Sequence, residues 1–501
     1  MPRVRLISTA LALLITGAST TTITAQAPAS IAAVAGPWSA SSIGTSSATA
    51  RDEFYQGLRD LDAERFIVAR EHFNNAVAAD PSFAIGQLYA AFNGASLADY
   101  KTHLDAAVRS LEGATPAEQL WIRAERKNAD NDVTGQIELA KQLVTAAPEN
   151  PRVYLYLAGA QFNANKRAES RATLERATQV DPGYAQGWIQ LGNSYLVTEP
   201  RDIAKADAYI RKALALQPNQ AVVHDYMGDV YRAENKLPQA RAEYTRMAEL
   251  APTRGEGFQQ RGHVNSFLGN FAEARADYDR AIALSDPTLI PQYAAFKALV
   301  SVYANDPAAA EAELDRIAST VDPSVGGANG AKIFALTSEA RIALHNRHLD
   351  VAQRAIDQVR EVYRRQAAEE GRSDAFRRNG EVNIAYWEGM LAARRGDYAA
   401  ARAKAKDIMT LVAQDQSPRK NEPAHELLGL TDFLQGNFQS AADHYAEANP
   451  DDVYLWYYRG LALEGAGRKA EAKEFFKRAA GWNFNGPNTA LVKNDARKRA
   501  G

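Results

Sequence analysis

The sequence predicts an all-α chain of paired helices stacked side by side, and three recurring features carry that expectation. The first is the stretch Trp188–Tyr195, whose bulky residues at i, i+3 and i+7 share one helix face with Gly192. A glycine on that face leaves room for a second helix to approach closely. The second is the run Ala206, Ile210 and Ala213, again at helical spacing and followed by Pro218, which stops the helix. The third is the period. Pro148, Pro182, Pro218 and Pro252 are separated by 34, 36 and 34 residues, and so are Ala158, Gly192, Gly228 and Gly262. Ala206, Ala240 and Ala274 lie 34 apart each time. The one longer step falls where Glu199-Pro200-Arg201-Asp202 lengthens the turn between two helices.

Trp188-Ile189-Gln190-Leu191-Gly192-Asn193-Ser194-Tyr195 reads W-x-x-L-G-x-x-Y. With a period of about 34 residues it resembles the tetratricopeptide repeat (TPR) family. The resemblance implies a TPR-type α-solenoid, a superhelical right-handed stack of antiparallel helix pairs. It also implies a non-enzymatic scaffold or adaptor that holds a protein or peptide partner along the surface formed by the first helices.

Composition narrows the function classes. A hydrophobic content of 46% is ordinary for a folded chain, so disorder throughout is excluded. The formal net charge of −2, or −4 without Arg3 and Arg5, gives no general attraction for nucleic acid, and no nucleic-acid partner is expected. With 0 cysteines there is no disulfide, thiolate metal site or cysteine nucleophile.

Taken in order, Arg3 and Arg5 precede an apolar run, Leu6–Ile15, and then Ile23-Thr24-Ala25. This order fits a signal peptide over 1–25 cut after Ala25, and hence an exported, periplasmic or secreted protein. The apolar run is too short to span a bilayer, so the mature chain carries no transmembrane span. Residues 26–50, rich in Ala, Ser and Thr, read as a flexible linker. An N-terminal array over 51–323 follows, then a Gly-rich break at 324–330 that is a loop or a hinge. A C-terminal array over 331–501 ends in a capping helix. About twelve helix pairs are expected in all.

No catalytic constellation stands out, and no cofactor or metal is expected. His425-Glu426 begins an H-E-x-x-H pattern, but Gly429 stands where the second histidine is needed. His345, His348 and Asp350 share one inter-helix turn, where polar residues are expected in any case. Gly326–Gly330 lacks the Lys-Ser/Thr of a phosphate loop. The alternative to a scaffold is a ligand-binding or enzymatic cell-envelope protein that uses the solenoid as a housing.

The family's inner-face positions, projected onto the central repeats, carry Arg152, Tyr156, Asn163, Gln186, Gln190, Asn193, Asp225, Asp229, Arg232, Gln259 and His263. Amides and alternating charges suit an extended peptide backbone. Asn193 occupies one position of a known carboxylate clamp, but Ile189 replaces its lysine partner, so that specificity is not expected. Further on, Tyr386, Met390, Tyr454 and Tyr457 cluster on the same projected face and are expected to be exposed for a partner.

Overall fold

The computed structural model describes residues 43–501 apart from 199, 324–326, 370–371, 416 and 418. The expected leader and most of the expected linker lie outside the described residues. Among the described residues there are 25 α-helices and no strand. The chain divides into two compact units, one ending at Val230 and the other running Tyr231–Gly501.

The first unit holds the pairs α1 (Ala48–Asp62) and α2 (Phe66–Ala79), α3 (Ala84–Phe92) and α4 (Leu97–Arg109), α5 (Pro116–Ala129) and α6 (Val133–Ala146). Next come α7 (Pro151–Asn163) and α8 (Arg167–Val180), α9 (Ala185–Val197) and α10 (Ile203–Leu216), and most of α11 (Ala221–Ala233). The second unit begins in the last turn of α11 and continues with α12 (Leu237–Leu250), α13 (Glu256–Leu268), α14 (Phe271–Ala283), α15 (Ile290–Tyr303) and α16 (Pro307–Thr320). It then holds α17 (Ala328–Asn346), α18 (Leu349–Ala368), α19 (Asp374–Arg395), α20 (Tyr398–Leu411), α21 (Glu422–Leu434), α22 (Phe438–Glu447), α23 (Val453–Gly465), α24 (Lys469–Gly481) and α25 (Pro487–Ala500).

Three local rules written in the sequence recur among the pairs. The small residue of the first helix sits against a bulky residue of the second. A Cβ on Gly57 would lie 2.5 Å from the Phe73 ring, and one on Gly460 2.7 Å from the Phe476 ring, so only hydrogen fits. The aromatic residue six positions after the stop proline hydrogen-bonds back to that proline's carbonyl. Trp188 Nε1 donates to Pro182 O at 2.9 Å and Trp456 Nε1 to Pro450 O at 2.8 Å, while the Tyr154 hydroxyl donates to Pro148 O. This bond fixes the entry angle of the next repeat. Finally, in several pairs the turn between the two helices holds one left-handed residue. Asn131, Asn165, Asn235 and Asn305 supply it, with φ between 59° and 62°. Asparagine tolerates that region better than most side chains.

First and second helices differ in burial. Nearly all of α7 and α9 is buried, whereas α8 buries only Ser170, Leu174, Ala177 and Thr178. The odd-numbered helices pack on their own partner, and several also pack on one another, as in α7 with α9 and α13 with α15. They form the inner faces.

Two boundaries differ from expectation. Helix α1 begins at Ala48, within the expected linker, because the Ser47 side chain accepts from Ala50 N and caps it. Just upstream, Gly44 N donates to Glu118 Oε1 at 3.1 Å and Ile43 is buried. Ala328–Gly330, expected in the Gly-rich break, already form the first turn of α17. The last helix, α25, packs on α23 and α24 and also on α15 and α17, the inner faces of earlier repeats.

Gly57→Leu should destabilise the first pair by about 1–3 kcal/mol, since Phe73 has nowhere to go. Because repeats stack on neighbours, hydrogen exchange should speed up in α1 and α2 and leave α15 and α16 unchanged. Unchanged exchange in α1 would refute the close-approach account.

Candidate functional site

In the first unit the projected inner-face residues are largely occupied by the protein itself. Arg152 on α7 is buried and forms an ion pair with Asp62 at 2.5 Å. Tyr184 OH donates to the same carboxylate at 3.0 Å, and Gln186 Nε2 donates to Asp62 O at 2.5 Å. Tyr226 OH donates to Glu64 Oε1 at 2.9 Å. The turn between α1 and α2 therefore reaches across to α7, α9 and α11. Burial pushes the Asp62 carboxyl up, and the Arg152 guanidinium opposes this.

Tyr156 is also taken up internally. Its hydroxyl donates to Glu125 Oε2 at 3.0 Å, beside Tyr100 OH at 2.6 Å and Asn128 Nδ2 at 3.0 Å from Oε1. Burial raises the Glu125 carboxyl to about 7, while the hydrogen bonds from Tyr100, Asn128 and Tyr156 pull the other way. Gln190, Asn193 and Asp225 are buried, and Gln190 Oε1 has no hydrogen-bond donor among the described residues. Asn163 is exposed and Asp229 is half-buried.

In the second unit an extended segment, Trp482–Asn485, lies across the inner faces before Gly486 and α25. Asn483 Nδ2 donates to Arg232 O at 2.8 Å and to Asn235 Oδ1 at 3.0 Å. Asn485 Nδ2 donates to His263 Nδ1 at 2.8 Å and Tyr278 OH at 3.1 Å, and its Oδ1 accepts from Tyr303 OH at 2.7 Å. Between the two asparagines, the Phe484 ring lies 4.7 Å from the Arg232 guanidinium carbon. Arg232 and His263 thus meet an extended chain, and that chain is their own. Gln259 Nε2 lies 2.5 Å from His263 Nε2 on the same helix.

The C-terminal aromatic set is buried rather than exposed. Tyr386, Met390, Tyr454 and Tyr457 are 7%, 2%, 3% and 7% exposed. The reason is a buried cation. Arg341 on α17 pairs with Glu426 at 2.9 Å, hydrogen-bonds the Tyr386 hydroxyl and sits 5.0 Å from the centre of the Tyr454 ring. Tyr386 OH donates to Glu426 Oε1 at 2.6 Å, Arg394 donates to Tyr458 OH at 2.7 Å, and Tyr457 OH donates to Asp495 at 2.6 Å. A guanidinium without water needs such partners on every side.

The histidines separate. His345 faces Tyr454 OH at 3.1 Å and His348 faces Glu311 at 2.8 Å. Burial, with Arg394 and Arg341 nearby, lowers His345 to about 4. His425 Nδ1 lies 3.1 Å from His444 Nδ1, and the Glu426 beside it belongs to the Arg341 network. Among the described residues, no group of three or more His, Asp or Glu could hold a metal ion.

With the geometry in place, comparison with known families gives a consistent result. Residues 129–189, 256–287 and 424–488 each match a family described as tetratricopeptide repeat. The chain is a tetratricopeptide-repeat protein. Subunit 3 of the anaphase-promoting complex of Schizosaccharomyces pombe is 22% identical over 214 residues, covering 43% of this chain. The match covers 31% of that subunit, so this tetratricopeptide-repeat chain spans about a third of the relative's length. The crystal structure of MamA is 20% identical, with 32% of this chain and 93% of that one covered and a TM-score of 0.29. That of YrrB, "a TPR protein with an unusual peptide-binding site", is 19% identical, with 36% and 91% covered and a TM-score of 0.28.

Sequence reading of this tetratricopeptide-repeat protein missed Asp62, Glu125, Arg341 and the Trp482–Asn485 segment. Asn483 and Asn485 were visible as alternate asparagines around an aromatic, a pattern suited to an extended strand. Nothing local indicated what they meet.

The Glu125 cluster makes stability depend on pH. The folded chain holds this proton up to about 7 and an unperturbed glutamate up to 4.5, so stability should fall as pH rises from about 4.5 through about 7. Glu125→Gln should flatten that part of the profile, read as urea midpoints at pH 5 and pH 8. An unchanged slope would show that another group is responsible.

Proposed function

We propose that this tetratricopeptide-repeat protein is an exported, non-enzymatic scaffold that holds an extended segment of a protein or peptide partner against its inner helix faces. The observation that carries this reading is Trp482–Asn485, a non-helical stretch held by a backbone carbonyl and side chains of successive repeats. Such gripping is how a solenoid reads a peptide: backbone extension sets the register, and alternate side chains supply selectivity. Asn163 and Asp229 are the projected inner-face residues that keep solvent access in the first unit, and they mark where a partner first touches it. Among the described residues no helix is long and apolar enough to cross a membrane. Export rests on Arg3, Arg5 and the apolar run Leu6–Ile15.

A displayed random-peptide library panned on the intact chain tests the scaffold reading. Selected peptides should lose at least tenfold in affinity on Asn163→Arg or Asp229→Lys and be unaffected by Glu169→Lys on the exposed side of α8. Equal sensitivity to all three changes, or no selectable peptide, would remove the reading. Export is checked by N-terminal sequencing of the mature protein from a secreting bacterial host, which should begin at Gln26. Recovery with Met1 intact would count against it.

A further inference from the structure

We propose that the face formed in the second unit by the last turn of α11 with α13, α14 and α15 is a binding surface for a partner segment carrying carboxamides two residues apart around an aromatic ring, and that Trp482–Gly486 fills it as a ligand in cis. This rests on the scaffold reading and names the ligand class of one face. The face is polar where a helical core is ordinarily apolar. It presents the Arg232 carbonyl, Asn235, His263, Tyr278 and Tyr303, each within hydrogen-bond distance of Asn483 or Asn485. Polar groups buried this way are costly unless each finds a partner, and here two asparagine side chains satisfy them. Asn483 serves one repeat and Asn485 the next two, with Phe484 against the Arg232 guanidinium between them.

The segment is held as a peptide would be held. Its residues make no helix, and its grip comes from alternate side chains. Lys493 keeps it extended from behind, donating to Trp482 O at 2.6 Å and to Asn483 Oδ1 at 2.7 Å. A partner in trans must replace the same hydrogen bonds, so it must offer an aromatic flanked by Asn or Gln at alternate positions. A tethered segment competes at an effective concentration of roughly 1 mM, so the intact chain is closed to all but strong or abundant partners.

The test uses the full chain and a fluorescein-labelled peptide of sequence Gly-Trp-Asn-Phe-Asn-Gly-Pro-Asn. Fluorescence anisotropy should show the Asn483→Ala/Asn485→Ala variant binding it at least tenfold more tightly than the wild type. Adding Tyr303→Phe to that variant should remove most of the gain, and a peptide with both asparagines changed to alanine should not bind. The chain has 0 cysteines, so spin labels on Glu273→Cys and Lys498→Cys can be read without background. Their separation should lengthen when peptide is added to the variant. Hydrogen exchange in α13 and α14 monitors folding. If both stay protected while the variant binds no better than wild type, the proposal is overturned. It is also overturned if the variant forms a dimer that peptide does not disperse, because the face then serves exchange between copies. Should library peptides still map to Asn163 and Asp229 in either case, the scaffold reading stands and only the cis-ligand falls.

Discussion

Everything in this fold depends on how closely two helices of one pair can approach. At Gly57, Gly429 and Gly460 the first helix offers a bare Cα, and the ring of Phe73, Tyr445 or Phe476 fills the space. A methyl group at any of these positions would collide with the ring. The contact sets the angle within the pair, and the angle decides where the next pair begins. Repetition of one tight contact thus turns a local rule into stacked pairs within each unit, with the outer helices half-exposed and the inner ones covered.

An inner face built this way is rich in polar groups, and buried polar groups demand partners. The protein meets that demand from within. Asp62 and Glu64 serve the first unit, Asn483 and Asn485 serve α11 to α15, and Arg341 gathers Tyr386, Glu426 and Tyr454 further along. The family's usual binding surface is consequently already engaged in much of this chain. Affinity for an outside partner is then a difference between two sets of similar bonds rather than a gain over water.

The period was legible because its causes lie within a few turns of chain. Stop prolines, small residues and buried alanines are each placed by the neighbouring helix, so a regular stack writes them regularly. The left-handed turn residues were equally present at Asn131, Asn165, Asn235 and Asn305, but their role is plain only with φ in hand. What sequence could not disclose is pairing across distance. Asn483 meets a carbonyl 251 residues away, and Arg152 meets a carboxylate 90 residues away. Periodicity indicated which side of a helix Tyr386 and Tyr454 occupy, and had no means of indicating that Arg341 covers it.

The tie from Asp62 to Arg152, Tyr184 and Gln186 has a mechanical consequence. In a stack whose members touch only their neighbours, the terminal pair is the weakest and frays first. Here the first pair is riveted by its own turn to the fourth and fifth, so peeling it away means breaking a buried ion pair as well as one interface. The leading edge is built like the whipped end of a rope, bound back on itself so that the strands do not unlay.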